Sequence, residues 1–214
     1  MEQKIIDYIK SEYQPEAILL GGSRMKGTAT EKSDWDLFLI GSKKENGGFL
    51  EFEGQRLDVT LKSWPDENSP LTIPTGPLWP IRVLSDSSQG KLEKVLRTTE
   101  EYFRKGPMIL YKDKVLGRLQ KLDSWKRKIE KYADTPMVEF VYAGVFYEIA
   151  IQVWLELQNT WSLAPVEALS IIQEKNQGFY DSLNSFMSSS SLERFKHAET
   201  ILNALEMLRN NTLK

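Results

Sequence analysis

Two aspartates one residue apart, Asp34-Trp35-Asp36, lead into the apolar run Leu37-Phe38-Leu39-Ile40. Side chains on a β-strand alternate between faces, so Asp34 and Asp36 share one face, while Trp35, Leu37 and Leu39 point to the other. A third carboxylate, Asp58, lies in Arg56-Leu57-Asp58-Val59-Thr60-Leu61, where Leu57, Val59 and Leu61 form the apolar face. Should the two strands lie side by side, three carboxylates converge. Like charges that close together raise one another's pKa unless a cation stands among them. Magnesium suits that place, being a hard ion that takes oxygen ligands, commonly one or two carboxylates plus substrate phosphates. One or two Mg²⁺ ions held by Asp34, Asp36 and Asp58 would serve in-line phosphoryl or nucleotidyl transfer.

Upstream, Ile18-Leu19-Leu20 runs into Gly21-Gly22-Ser23-Arg24. A strand that ends in glycines and turns into a helix exposes backbone N–H groups that favour anions. Ser23 can donate its hydroxyl to a phosphate oxygen, and Arg24 can neutralise phosphate with a fork of donors. Singly, each feature is commonplace. Gly-Gly-Ser is usually a turn, Asp-x-Asp at a strand start is more often a solvated edge, and one aspartate on a polar face needs no explanation. Their conjunction in this order is much rarer.

In that order the residues resemble the nucleotidyltransferase superfamily typified by DNA polymerase beta. The stretch Gly22-Ser23-Arg24, Gly27-Thr28-Ala29, Ser33-Asp34 and Asp36-Leu37 is similar to the bacterial branch of minimal and antibiotic nucleotidyltransferases, over roughly residues 16–62. The resemblance implies an α/β (α+β) fold: a mixed β-sheet with flanking helices, followed by a C-terminal helical bundle. It implies that Asp34 and Asp36 bind magnesium and that Asp58 holds a second metal or accepts the acceptor's proton. Ser23 and Arg24 would hold the nucleoside triphosphate, ATP as the expected donor, and Gly22 would permit its approach. A hydroxyl or phosphate of the acceptor would attack the α-phosphate and release pyrophosphate. The implied acceptor is a small aminoglycoside-like or polyhydroxylated compound. Transfer to protein or tRNA, as in antitoxin-type relatives, and a catalytically weak nucleotide-binding module are the alternatives, and the intact Ser23 and aspartates favour an enzyme.

The whole chain is compatible with this chemistry. Its 214 residues carry a net charge of −2, against the basic footprint of a general nucleic-acid binder. With no cysteine and a single histidine, His197, thiolate chemistry is excluded and zinc or Ser-His chemistry has little scope. No apolar run approaches the roughly 20 residues that span a bilayer, and MEQKIIDYIKSEY reads as an amphipathic helix without a signal-peptide core. A cytoplasmic protein without a membrane partner is the expectation.

These residues need elements to position them. Apolar spacing predicts a helix over 3–13, strands at 17–20 and 36–40, and a hairpin in "FLEFEGQRLDVTL" turning at Glu53-Gly54. Prolines break up 65–80, and "IRVLSDSSQG" gives a strand and a loop. Helical periodicity then covers 91–105, 108–132, 137–158, 166–175 and 191–210. A catalytic domain over 1–88 and a helical acceptor-binding or dimerisation domain over 89–214 follow, with a homodimer permitted but not required. In the helical half, "VWLELQNTWSLAPVEAL" loosely resembles the aminoglycoside-modifying relatives. Glu148, on an apolar stretch, is either an acceptor-site base or an exposed helix position. Residues 111–132 hold eight basic and three acidic side chains. They read as a solvated helix face in preference to a surface for triphosphate or RNA.

Overall fold

The central strand Trp35–Ile40 organises the sheet, with Trp35, Leu37 and Leu39 in one core and Phe38 and Ile40 in the other. The computed structural model describes residues 1–74 and 76–212, and the backbone alone for 108–113. The chain divides into two compact units, Met1–Arg104 and Lys105–Lys214.

The first unit runs α1 (Glu2–Tyr13), β1 (Ala17–Leu20), α2 (Gly22–Lys26), β2 (Trp35–Ile40), β3 (Gly48–Phe52) and β4 (Gln55–Lys62). It continues with the short pair β5 (Thr72–Ile73) and β6 (Gly76–Pro77), then β7 (Arg82–Asp86) and α3 (Lys91–Lys105). Five strands make a mixed sheet in the order β3-β4-β2-β1-β7. β2 pairs in parallel with β4, and β1 pairs antiparallel with both β2 and β7. The β3–β4 hairpin turns where the sequence predicts, with Glu53 and Gly54 both at positive φ (47° and 74°). Two such residues make the tight turn whose twist matches the flanking strands.

Both faces of the sheet are covered. On one, Ile5, Ile6, Ile9 and Tyr13 of α1 pack on Ile18, Leu20, Trp35, Leu37, Leu39, Leu57 and Val59. Burying each large aliphatic side chain contributes about 1.5–3 kcal/mol, so this side anchors the register of β2 against β4. On the other, Ala17, Leu19 and Ile40 pack with Leu71, Leu78 and Leu92, joined by Phe38, Val95 and Leu96. Leu92, Val95 and Leu96 come from α3 and place that helix in the first unit. Thr99 of α3 is buried there too, its Oγ1 accepting from the Leu71 amide (2.9 Å) and donating to the Val95 carbonyl (2.7 Å). The compact units therefore separate after α3 and not at residue 88, where the sequence texture changes. A change from strand to helix pattern marks where an element begins, not which core it joins.

The second unit contains α4 (Met108–Lys131), α5 (Pro136–Leu157), α6 (Pro165–Lys175), α7 (Gln177–Ser188) and α8 (Ser191–Thr212). α7 has no counterpart in the sequence reading. Its glycine, serines and asparagine are weak helix formers. Tertiary packing forms it nonetheless, through buried Phe179, Leu183 and Phe186 and an Asn176 side chain that accepts from the Phe179 amide. Contrary to the expectation from apolar runs, α5 is long and apolar enough to cross a membrane by length and composition. Three glutamates interrupt its sequence without making it polar on average. Here it is a bundle core helix, burying Ala143, Phe146, Ala150, Val153 and Trp154. Two of its glutamates are buried and ion-paired, Glu139 with Arg194 of α8 and Glu156 with Arg118 of α4.

The place of α3 sets an expectation for fragments. A fragment of residues 1–104 should unfold cooperatively in urea. One of residues 1–88, which lacks Leu92, Val95, Leu96 and Thr99, should show no cooperative transition by near-ultraviolet circular dichroism.

Candidate active site

Register brings the aspartates together. Asp36 and Asp58 are directly paired across the parallel β2–β4 ladder, and paired residues point to the same side of a sheet. Asp34, two residues before Asp36, continues that face just ahead of the strand. Their apolar neighbours Trp35, Leu37, Leu57 and Val59 lie in the opposite core, as the alternation predicts. All three aspartates are half-buried.

The crowding is chemically visible at Asp36. Its carboxyl is raised above the ordinary 3.8, first by burial and then by the charges of Asp58 and Asp34, with Arg24 offsetting only in part. Asp34 carries the complementary signature. Its Oδ1 is buried without a hydrogen-bond partner, and Nε of Arg56 lies 3.5 Å from it. Among the described residues, no three His, Cys, Asp or Glu side chains are grouped closely enough to hold one ion between them. The arrangement is not a closed metal cage. Magnesium, however, ordinarily takes one or two protein carboxylates and completes its shell with phosphates and water. Two register-paired carboxylates in excess charge, and a third with an orphaned oxygen, fit that donor set.

The glycine turn is built around the same carboxylate. Gly22 opens α2 with φ of +62°, and a Cβ added there would overlap Oδ2 of Asp36. Only glycine permits both the backbone conformation and the approach. The Gly21 amide donates to the Asp36 carbonyl (2.9 Å), fixing the turn to β2. The Ser23 carbonyl accepts the amides of Gly27 and Thr28, closing α2.

Arg24 makes its contacts within the frame of the site. Its Nε donates to the Asp34 carbonyl (3.1 Å), and its Nη2 donates to the Ser33 carbonyl (2.6 Å) and to Oε1 of Gln55 (3.3 Å). Its guanidinium stacks 4.6 Å from the centre of the Trp35 ring. The side chain braces the entry to β2, and any phosphate would compete with those contacts. Glu148 is exposed on α5, in the other unit from the aspartates. In the basic stretch, Lys112 and Asp113 lie outside the described side chains. Arg118 is ion-paired with Glu156 and Arg127 with Asp123, while Lys128 lies 4.2 Å from the Trp125 ring centre. The Arg127 and Lys128 contacts match the solvated-face reading, whereas Arg118 turns inward to the buried Glu156.

Two residues of this face escaped the sequence reading. Arg56 precedes Asp58 by two on β4 and therefore shares its face, and Phe49 is the cross-strand partner of Asp58. The Phe49 ring is 69% exposed and lies 5.8 Å from the Arg56 guanidinium. The same i, i+2 alternation that selected Asp34 would have selected Arg56. Phe49 needed the hairpin register.

Residues 3–64, from α1 to just beyond β4, match the family model described as Polymerase beta, Nucleotidyltransferase. That segment includes Gly22 and all three aspartates, and the match supports the nucleotidyltransferase superfamily. No curated protein matches the chain. Among solved structures, the crystal structure of a nucleotidyltransferase-like protein from Exiguobacterium sibiricum 255-15 is similar at 13% identity and a TM-score of 0.48. The match covers 99% of this chain and 75% of that one.

The raised Asp36 carboxyl links folding to pH. Because the folded value exceeds the unfolded one, the stabilising contribution is full below about 3.9, where a free aspartate titrates, and is lost as pH rises through the folded value. Asp36→Asn should therefore raise the melting temperature of the metal-free protein at pH 7, with a gain that shrinks as pH is lowered toward 4. A gain that does not vary with pH would contradict the charge crowding. Gly22→Ala should lower the melting temperature under the same conditions, since the methyl group and the positive φ are both strained.

Proposed function

We propose that this nucleotidyltransferase domain transfers a nucleoside monophosphate from a nucleoside triphosphate, ATP in the first instance, to a hydroxyl or phosphate of a small acceptor. Aminoglycoside-like and polyhydroxylated compounds are the acceptor classes this reading favours, with pyrophosphate as the second product. The observation that carries it is the pairing of Asp36 with Asp58 beside Gly22, with Asp34 on the same face.

Asp34, Asp36 and Asp58 would hold magnesium. Bound there, Mg²⁺ supplies charge neutralisation for the triphosphate and the departing pyrophosphate. Ser23 would donate its hydroxyl to a phosphate oxygen, and the side-chain-free Gly22 leaves the backbone open to the nucleotide. Asp58, paired with Asp36 across the ladder, would hold the second metal or take the acceptor's proton on an Oδ. The helical unit is assigned to acceptor binding, and a cytoplasmic setting fits a cysteine-free chain that uses nucleoside triphosphates.

A thermal-shift titration with each of the four ribonucleoside triphosphates, with and without Mg²⁺, tests the donor. A ligand that binds only the native state must raise the melting temperature by mass action. A magnesium-dependent rise with ATP that disappears in Asp34→Asn is the expected result. No rise with any nucleotide would overturn this reading. Once an acceptor is found, Asp36→Asn should lower pyrophosphate release by roughly 10³-fold, the scale on which a charge-stabilising group acts in a transition state.

A further inference from the structure

Arg56 places a positive charge where the site is short of one. Its Nε lies 3.5 Å from Oδ1 of Asp34. That is longer than the roughly 2.7–2.9 Å of a strong charge-assisted hydrogen bond. The same oxygen is buried without a hydrogen-bond partner. Arg56 itself is 66% exposed, whereas Asp34 is 29% exposed. The guanidinium therefore neutralises Asp34 from the solvent side without a bond that would commit it there. The Phe49 ring lies 5.8 Å away, on the side of the edge strand β3. A divalent ion at Asp34 would meet this guanidinium within a few ångströms, and the two like charges repel.

We propose that Arg56 is a resident counter-cation of the site. In the absence of metal it holds Asp34 in line against the repulsion of Asp36 and Asp58, and the magnesium–nucleotide displaces it from that carboxylate. Arg56 is thus a positioning residue that acts through Asp34. It lowers the affinity of the carboxylates for free divalent ions, so that metal is taken up with the nucleotide whose phosphates complete its shell. This rests on the reading of the face as a magnesium–nucleotide site.

The test is a titration of the full chain with Mn²⁺ alone, following the loss of the free-ion signal by electron paramagnetic resonance. Arg56→Gln should bind Mn²⁺ on the order of three- to tenfold more tightly than the unaltered protein, as expected for removing one nearby charge in a partly solvated site. Arg56→Lys, which keeps the charge, should return the affinity toward the original. Lys62→Gln is the control, because Lys62 lies on the same strand and face about 20 Å from Arg56, at about 3.3 Å per residue. Its affinity should not change. The melting temperature of each variant verifies folding. The proposal is overturned if Arg56→Gln binds no more tightly, if Arg56→Lys binds as tightly as Arg56→Gln, or if Lys62→Gln tightens binding equally. If the unaltered protein takes up Mn²⁺ in the presence of ATP and Arg56→Gln leaves metal affinity unchanged, only this proposal fails. If it takes up no Mn²⁺ even with ATP, the site reading fails and the proposal with it.

Discussion

Asp36 and Asp58 repel each other, and the first unit holds them side by side through the register of two parallel strands. A slip of one residue between β2 and β4 would send every side chain of one strand to the opposite face. The apolar set on the far side prevents it. Trp35, Leu37 and Leu39 interleave with Leu57 and Val59 beneath α1, and exposing that set costs far more than separating two partly solvated carboxylates gains. The strain of the functional face is thus carried by the core of the other face. The connection that makes β4 parallel to β2 passes through the hairpin strand β3, which also delivers Phe49 beside Asp58.

Around this pair, the turn residues build a frame. Gly22 yields its side-chain space to the Asp36 carboxylate. Arg24 ties the Ser33 and Asp34 carbonyls to Gln55, and the Trp35 indole donates to the same Gln55 oxygen (3.3 Å). One arginine thereby joins α2 to the entry of β2 and the entry of β4, which fixes the backbone that carries Asp34. Positioning of this kind, from elements locked by their own packing and hydrogen bonds, is what a metal–phosphate site needs before its ligand arrives. Charge is divided between two arginines, with Arg24 built into the frame and Arg56 left at the rim.

The helical unit follows a different logic. Its core is apolar, yet α5 buries Glu139 and Glu156 and matches each with an arginine from another helix. Arg194 also donates to the Phe186 and Ser189 carbonyls (3.0 and 2.8 Å), so one guanidinium closes the end of α7 and neutralises α5. A buried pair of this sort adds little net stability over a well-packed apolar pair. Removing one partner costs about 3–5 kcal/mol, because the other charge is left stranded. The consequence is a defined alignment of α5 with α4, α7 and α8.

Much of the first unit could be read from the chain. Period-two alternation placed Asp34, Asp36 and Asp58 on one face and the leucines on the other, because strand geometry leaves no third choice. The Glu53-Gly54 turn and the helices α1, α3, α4, α5, α6 and α8 were legible for the same reason, local pattern matching local geometry. What the sequence could not decide is whatever depends on distant partners. Whether β4 lies beside β2, whether α3 joins the sheet or the bundle, and whether the serine-rich 177–188 stretch coils are settled by burial against residues remote in the chain. The contacts of Arg24 were unreadable for that reason. The folded loop brings three carbonyl-type acceptors and an indole within reach of its guanidinium, from positions up to 31 residues away in the chain. Residue types and their spacing determined which chemistry the face can host, and the pairing of strands decided which side chains meet there, because register acts over distances that local pattern does not encode.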